Sequence, residues 1–151
     1  MRLVFSSDHA GFDLKHHLIS YVESKGHTCI DVGAYSADEP ASYVPHAVTA
    51  AERLLAGEAD LGIIICGTGL GISIAANKVE GIRAALCTNE YMARMAREHN
   101  DANFLALGAR VLGTRLAESI VDAFMDASFE TDGRHQERVN EIKELETHVK
   151  I

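Results

Sequence analysis

Apolar and polar positions along the chain alternate between two rhythms. Compact apolar, β-rich runs occur at residues 2–6, 28–32, 61–65, 82–87 and 104–107, and each predicts a strand. Between them the apolar positions recur at helical spacing. Leu14, Leu18, Tyr21 and Val22 predict a helix over 12–24, closed by Gly26. A second helix opens at Pro45 or His46 and runs to Ala56, with Val48, Ala51, Leu54 and Leu55 inward. A helix of small residues follows Gly71 and breaks at Gly81. Asn89 caps a helix through Glu98, with Met92, Met95 and Ala96 inward. Thr114 caps another, carrying Leu116, Ile120, Val121 and Phe124. After Gly133 a charged last helix, about 134–150, carries Val139, Ile142, Leu145 and Val149 as a narrow stripe. Such a stripe suits packing on a partner subunit as well as on its own domain.

Strands alternating with helices predict an α/β fold with a mostly parallel, five-stranded sheet. The chain shows no internal repeat and no low-complexity tract. The 33–45 loop, with Pro40 and Pro45, is long for a compact domain, and such loops are often functional.

Length and charge narrow the picture. The 151 residues are expected to form one domain, and a net charge of −8 argues against nucleic-acid and anionic-membrane partners. A small phosphorylated ligand in a local pocket of Arg and His remains compatible. Cys29, Cys66 and Cys87 are odd in number and widely spaced, which gives neither a disulfide framework nor zinc spacing. Cys29 and Cys87 lie in apolar runs, as inert core thiols do. His16, His17, His27, His46 and His148 lack metal-ligand spacing, so no metal is expected. With no signal peptide or membrane-length apolar run, the expected location is cytoplasmic.

The chemistry concentrates in Cys66-Gly67-Thr68-Gly69-Leu70-Gly71, between the most apolar strand and a helix start. A thiol beside several small-residue amides joins a proton-transfer group to an anion cradle. The G-x-G-x-G spacing is neither a dinucleotide fingerprint nor a Walker A loop. Ligands of such sheets sit outside the carboxyl ends of the strands. Asp8 and His9 follow the first strand there, and Arg110 follows the fifth. His99, Asn100 and Asp101 follow a helix. Arg134 and Arg138 are four apart and share a helical face. Plainer roles exist for each: Asp8 as a cap, His9 and His99-Asn100-Asp101 as turn residues, Arg134 and Arg138 paired with Glu137 or Glu141. Together the set predicts one edge at which a phosphorylated small molecule undergoes proton transfer beside a carbonyl.

Four segments resemble ribose-5-phosphate isomerase type B, of the ribose/galactose-phosphate isomerase family. They are Ser7-Asp8-His9-Ala10-Gly11-Phe12, the run from Ile65 to Lys78, Glu98-His99-Asn100-Asp101-Ala102-Asn103 and Gly133-Arg134-His135-Gln136-Glu137-Arg138. The resemblance implies a Rossmann-like three-layer α/β/α sandwich, with residues 1–151 as a single sugar-phosphate isomerase domain. It further implies no cofactor, and a homodimer or tetramer with sites shared between subunits. The implied reaction interconverts ribose 5-phosphate and ribulose 5-phosphate through an enediolate. Cys66 would move the proton, and His99 would assist ring opening with Asp8 and Thr68 nearby. Gly67, Thr68, Gly69, Leu70 and Gly71 would hold the enediolate oxygens. His9, Arg110, Arg134 and Arg138 would hold the phosphate, and Asn100 the sugar hydroxyls. Two departures stand out: Ser42-Tyr43-Val44-Pro45 replaces the frequent Asp-Tyr-Pro, and Ser6 occupies a common Gly position. The alternatives are an isomerase of a six-carbon sugar or its phosphate (allose or galactose type), and a non-catalytic phosphosugar-binding module. Intact Cys66, His99 and the arginines weigh against the module.

Overall fold

In a computed structural model, which describes residues 1–131 and 133–148, five strands form one wholly parallel sheet. They are β1 (Arg2–Ser7), β2 (Thr28–Asp31), β3 (Leu61–Cys66), β4 (Ala84–Leu86) and β5 (Phe104–Gly108), in the spatial order β2-β1-β3-β5-β4. The helices are α1 (Phe12–Ser24), α2 (Tyr43–Leu55), α3 (Leu70–Ala76), α4 (Glu90–Asn100), α5 (Thr114–Asp126) and α6 (Arg134–His148). No helix among the described residues is long and apolar enough to cross a membrane.

The pleat explains why β3 is apolar at every position. Ile63 and Ile65, with Leu3, Phe5, Leu105 and Leu107 beside them, pack against α1, α4 and α5. Ile64 and Cys66, with Val4, Phe104 and Ala106, pack against α2 and α3. A central parallel strand covered on both faces has no solvent side on which a polar residue would be neutral. Gly62 makes room for Phe104: a Cβ there would meet the ring at 2.1 Å.

Several element ends differ from the sequence pattern. α2 starts at Tyr43, because the Ser42 hydroxyl accepts from Val44 N–H at 3.3 Å and caps it. Pro45 then sits in the first turn, where its missing N–H is harmless. The inward face of α2 is Ala47, Ala50 and Ala51, and Leu55 is exposed. In α4 the buried pair is Ala93 and Ala96, whereas Met92 is exposed. α5 begins at Thr114 behind a Gly113 cap with no side-chain bond, and Leu116 is exposed. α3 ends at Ala76, and the Asn77 side chain turns to the sheet edge. Its amide donates to Ala84 O and accepts from Ala84 N–H, both at 2.8 Å.

α6 packs beside α4 and reaches toward β4, with Val139 buried and Glu146 accepting from Gly81 N–H at 3.0 Å. Ile142 and Leu145 of its stripe are exposed. Val149 lies outside the described residues, as does the His148 side chain.

Candidate active site at the carboxyl ends of β1 and β3

The chain runs from β1 outward to β2 and later returns to β3 on the other side. The carboxyl ends of β1 and β3 therefore border the crevice in which α/β sheets bind ligands. Cys66 ends β3, with 3% of its surface exposed. Gly69 takes a left-handed conformation at φ 78° and turns the chain into α3. In that conformation its N–H donates to the Cys66 Sγ at 3.2 Å. Since α3 has seven residues, an anion cradle here would rest on the loop amides rather than on a helix dipole. The Thr68 hydroxyl accepts from Leu70 N–H at 3.3 Å, and Thr68 and Leu70 are exposed.

Arg110 joins this loop through its backbone and its side chain. Its N–H donates to Gly67 O at 2.9 Å, and Ala109 N–H donates to Cys66 O at 2.9 Å. The guanidinium lies over Gly67, with Nη1 3.5 Å from where a Cβ would stand. Tyr43 roofs the other side: a Cβ on Gly71 would meet its ring at 2.5 Å and its hydroxyl at 2.8 Å. With Val44 between it and Pro45, Tyr43 lies on this face.

On the β1 side, Asp8 does serve as a cap, as its plainer role had it. Its Oδ1 accepts from Gly11 N–H at 3.0 Å, and its own N–H donates to Ile65 O at 3.2 Å. The turn carrying His9 is thus stitched to β3. His9 Nδ1 lies 3.2 Å from Ala41 N and 3.3 Å from Ala41 O. The neutral Nε2–H tautomer accepts the Ala41 N–H at Nδ1, and a protonated ring donates to the Ala41 carbonyl. In both states Nε2 carries a hydrogen and remains a donor.

Within one chain the structure separates the remaining candidates from this edge. Asn103 O accepts from Gly62 N–H at 2.9 Å, so the α4–β5 turn lies at the start of β3. Four residues of strand then put about 13 Å between that level and Cys66. His99 and Asn100 end α4 at this opposite end of the sheet, because a helix between parallel strands must run back against them. The start of α6 joins them: the His99 and His135 rings stack at 4.0 Å and 5°. Arg134 and Arg138 flank His135 on that helix. The expected meeting of His99, Asn100, Arg134 and Arg138 with Cys66 on one edge therefore does not occur inside a single chain.

Burial, then the neighbouring His99, holds the His135 imidazole below the usual histidine range. His135 Nε2 also lies 3.8 Å from a Glu130 carboxylate oxygen. His99, Glu130 and His135 bring ligand atoms within 4.8 Å of one another. The stacked rings, however, send their in-plane lone pairs side by side rather than to one point, and Arg134 adjoins them. That geometry is a poor fit to a single metal ion. Elsewhere, burial pushes the Cys29 thiol up to about 12 and the Cys87 thiol up to about 11. Both then stay protonated and inert.

The sequence pattern does not show the Ala41 backbone contact or the full burial of Lys15. A lysine inside the buried stripe Leu14, Lys15, Leu18, Val22 was the available signal for the second. The backbone contact leaves no trace in residue types.

Comparison with known proteins places the sequence and the fold among relatives. The ribose/galactose isomerase profile matches residues 3–142. A ribose-5-phosphate isomerase B of Escherichia coli is 48% identical over 145 residues, covering 96% of each chain. The structure of a Clostridium thermocellum ribose-5-phosphate isomerase B superposes with a TM-score of 0.94 at 52% identity, over 97% of this chain and 98% of that one. A Mycoplasma genitalium ribose-5-phosphate isomerase B with bound ribulose 5-phosphate superposes with a TM-score of 0.92 at 38% identity, over 98% and 97%. With its glycine loop and all of its sheet except Arg2 inside the matched span, the chain belongs to the ribose/galactose isomerase family.

Proposed function

We infer that this protein is an aldose–ketose isomerase interconverting ribose 5-phosphate and ribulose 5-phosphate without a cofactor. The observation that carries it is the Cys66 sulfur held by the Gly69 amide, with Arg110 over the same loop. The relatives named for five-carbon sugar phosphates support that substrate over a six-carbon one.

The open-chain aldose places C1 and C2 against the sulfur. Cys66, as thiolate, takes the C2 proton, and the C2–H electron pair forms the C1–C2 double bond while the C1 carbonyl oxygen becomes anionic. Amides of the Gly67–Gly71 loop hold that oxygen as its charge develops, which favours the transition state over the ground state. The thiol then returns its proton to C1, and the hydroxyl proton on O2 passes to O1, leaving the C2 ketone. His9 Nε2–H and Arg110 hold the phosphate.

The separation of the two clusters supports a homodimer with shared sites. A second copy can bring His99, Asn100, Arg134 and Arg138 to the carboxyl edge that its partner provides. There His99 protonates the furanose ring oxygen, Asn100 holds sugar hydroxyls and the two arginines complete the phosphate grip. Free thiols suit a reducing, cytoplasmic setting.

The test is solvent exchange. In D2O with ribose 5-phosphate, the wild-type protein places deuterium at C1 of the ketose and C2 of the aldose by NMR. Cys66→Ala abolishes this exchange and the turnover while the protein still binds inorganic phosphate. Near-wild-type turnover by the purified variant would remove Cys66 as the base.

A further inference from the structure

Lys15, in the first turns of α1, is the only fully buried charged side chain among the described residues. Its ammonium donates to an Asp31 carboxylate oxygen at 2.5 Å and to the Ala34 carbonyl at 2.7 Å. It also lies 5.6 Å from the Phe12 ring centroid and 5.4 Å from that of Tyr35. Burial holds its pKa below the ordinary lysine value, against the pull of Asp31. Placing a charge here is costly, and an apolar side chain of similar length would suffice to fill the space. A carbonyl and a carboxylate held at fixed positions are what the ammonium adds.

Those two acceptors control the approach to His9 from both directions. Asp31 Oδ1 also accepts from Gly33 N–H at 2.9 Å, which fixes the segment leaving β2. Gly33 O accepts from Ser7 N–H and Ala34 N–H donates to Ser7 O, both at 2.6 Å. Ser7 leads directly into Asp8 and His9. From Ala34 the same loop runs on to Ala41, whose backbone faces His9 Nδ1, and then to Tyr43 over Gly71. We propose that Lys15 is a positioning residue for substrate binding: it anchors the 33–42 loop and, through Ser7 and Ala41, aims His9 at the phosphate. This rests on His9 being a phosphate donor.

The experiment is a double-mutant cycle on the full chain. Wild type, Lys15→Met, His9→Ala and the double variant are compared for kcat, for KM with ribose 5-phosphate, and for inhibition by inorganic phosphate. Misaiming one charge-assisted hydrogen bond predicts that Lys15→Met raises KM and the phosphate inhibition constant about ten-fold or more, with kcat within about three-fold. In the His9→Ala background the same substitution adds less than about two-fold, because its route of action is gone. Circular dichroism checks the fold. Should Lys15→Met fail to fold, Asp31→Asn keeps the acceptor for Gly33 and weakens the anchor, with the same non-additivity expected.

An unchanged KM in Lys15→Met, or effects that multiply across the cycle, overturns the positioning role. Failure of both variants to fold overturns it too, by making Lys15 a stability residue. If His9→Ala itself leaves KM and phosphate inhibition unchanged, the phosphate-donor assignment of His9 fails and takes this proposal with it, while the Cys66 exchange experiment still judges the isomerase reading separately.

Discussion

Gly69→Ala tests the turn on which the thiol depends. The backbone there is left-handed at φ 78°, a conformation that costs a non-glycine residue about 1–2 kcal/mol. The new methyl also meets Leu86 Cδ1 at 2.4 Å and the Leu107 carbonyl carbon at 2.9 Å. Leu86 can rotate, but Leu107 is backbone of the central sheet, so the loop itself must shift. Overpacking of this kind costs about 1–3 kcal/mol, for a total of about 2–5 kcal/mol. For a chain of this size that lowers Tm by about 4–20 °C. Gly26→Ala is the matched control, at φ 87° with nothing within 4 Å of a new methyl. It carries the conformational cost alone, about 1–2 kcal/mol. Urea unfolding of both variants separates packing from backbone. Because the Gly69 N–H faces the sulfur, kcat should also fall about ten-fold or more in Gly69→Ala and stay unchanged in Gly26→Ala. Equal stability losses in the two would refute the close approach to Leu86 and Leu107. A wild-type kcat in Gly69→Ala would refute the need for that amide.

Two further outcomes follow from the geometry. Cys66→Ala and His99→Ala are each expected to be inactive, and co-refolding them at equal amounts should restore about one quarter of wild-type specific activity, from random pairing in a two-fold dimer; a mixture that stays inactive argues against sites shared across copies. His135 titrates below the usual histidine range, so the unfolded chain takes up its proton first, and stability rises with pH through that window and is lost as pH falls below about 6.5. Urea midpoints at pH 7 and pH 5 should therefore converge in His135→Asn, and an unchanged gap would count against this origin.

The fold was legible where packing and periodicity agree. α1 takes the expected bounds, since Leu14, Leu18 and Val22 share one buried stripe and Gly26 ends the helix with a positive φ. Pro45 looks like the start of α2, whereas Ser42, two residues before Val44, does the capping. Met92, Leu55 and Leu116 fit the helical spacing yet are exposed; Ala47, Ala50 and Ala51 of α2 and Ala93 and Ala96 of α4 are buried instead, and in α5 Ile120, Val121 and Phe124 are. The thiol loop was visible because its glycines and cysteine are contiguous. The distance between His99 and Cys66 was not, because it follows from the direction of α4, which reverses between two parallel strands whatever its composition.

The carboxamide of Asn77 behaves as a detached peptide unit laid against β4. β4 has three residues, and Asn77 already engages both main-chain groups of Ala84 on the side away from β5. An incoming extended segment would find too few free partners to lengthen the sheet at this edge, a protection that other proteins achieve with edge lysines or bulges. Strand addition is thereby disfavoured at the β4 border of the sheet, which leaves β2 as the other edge strand.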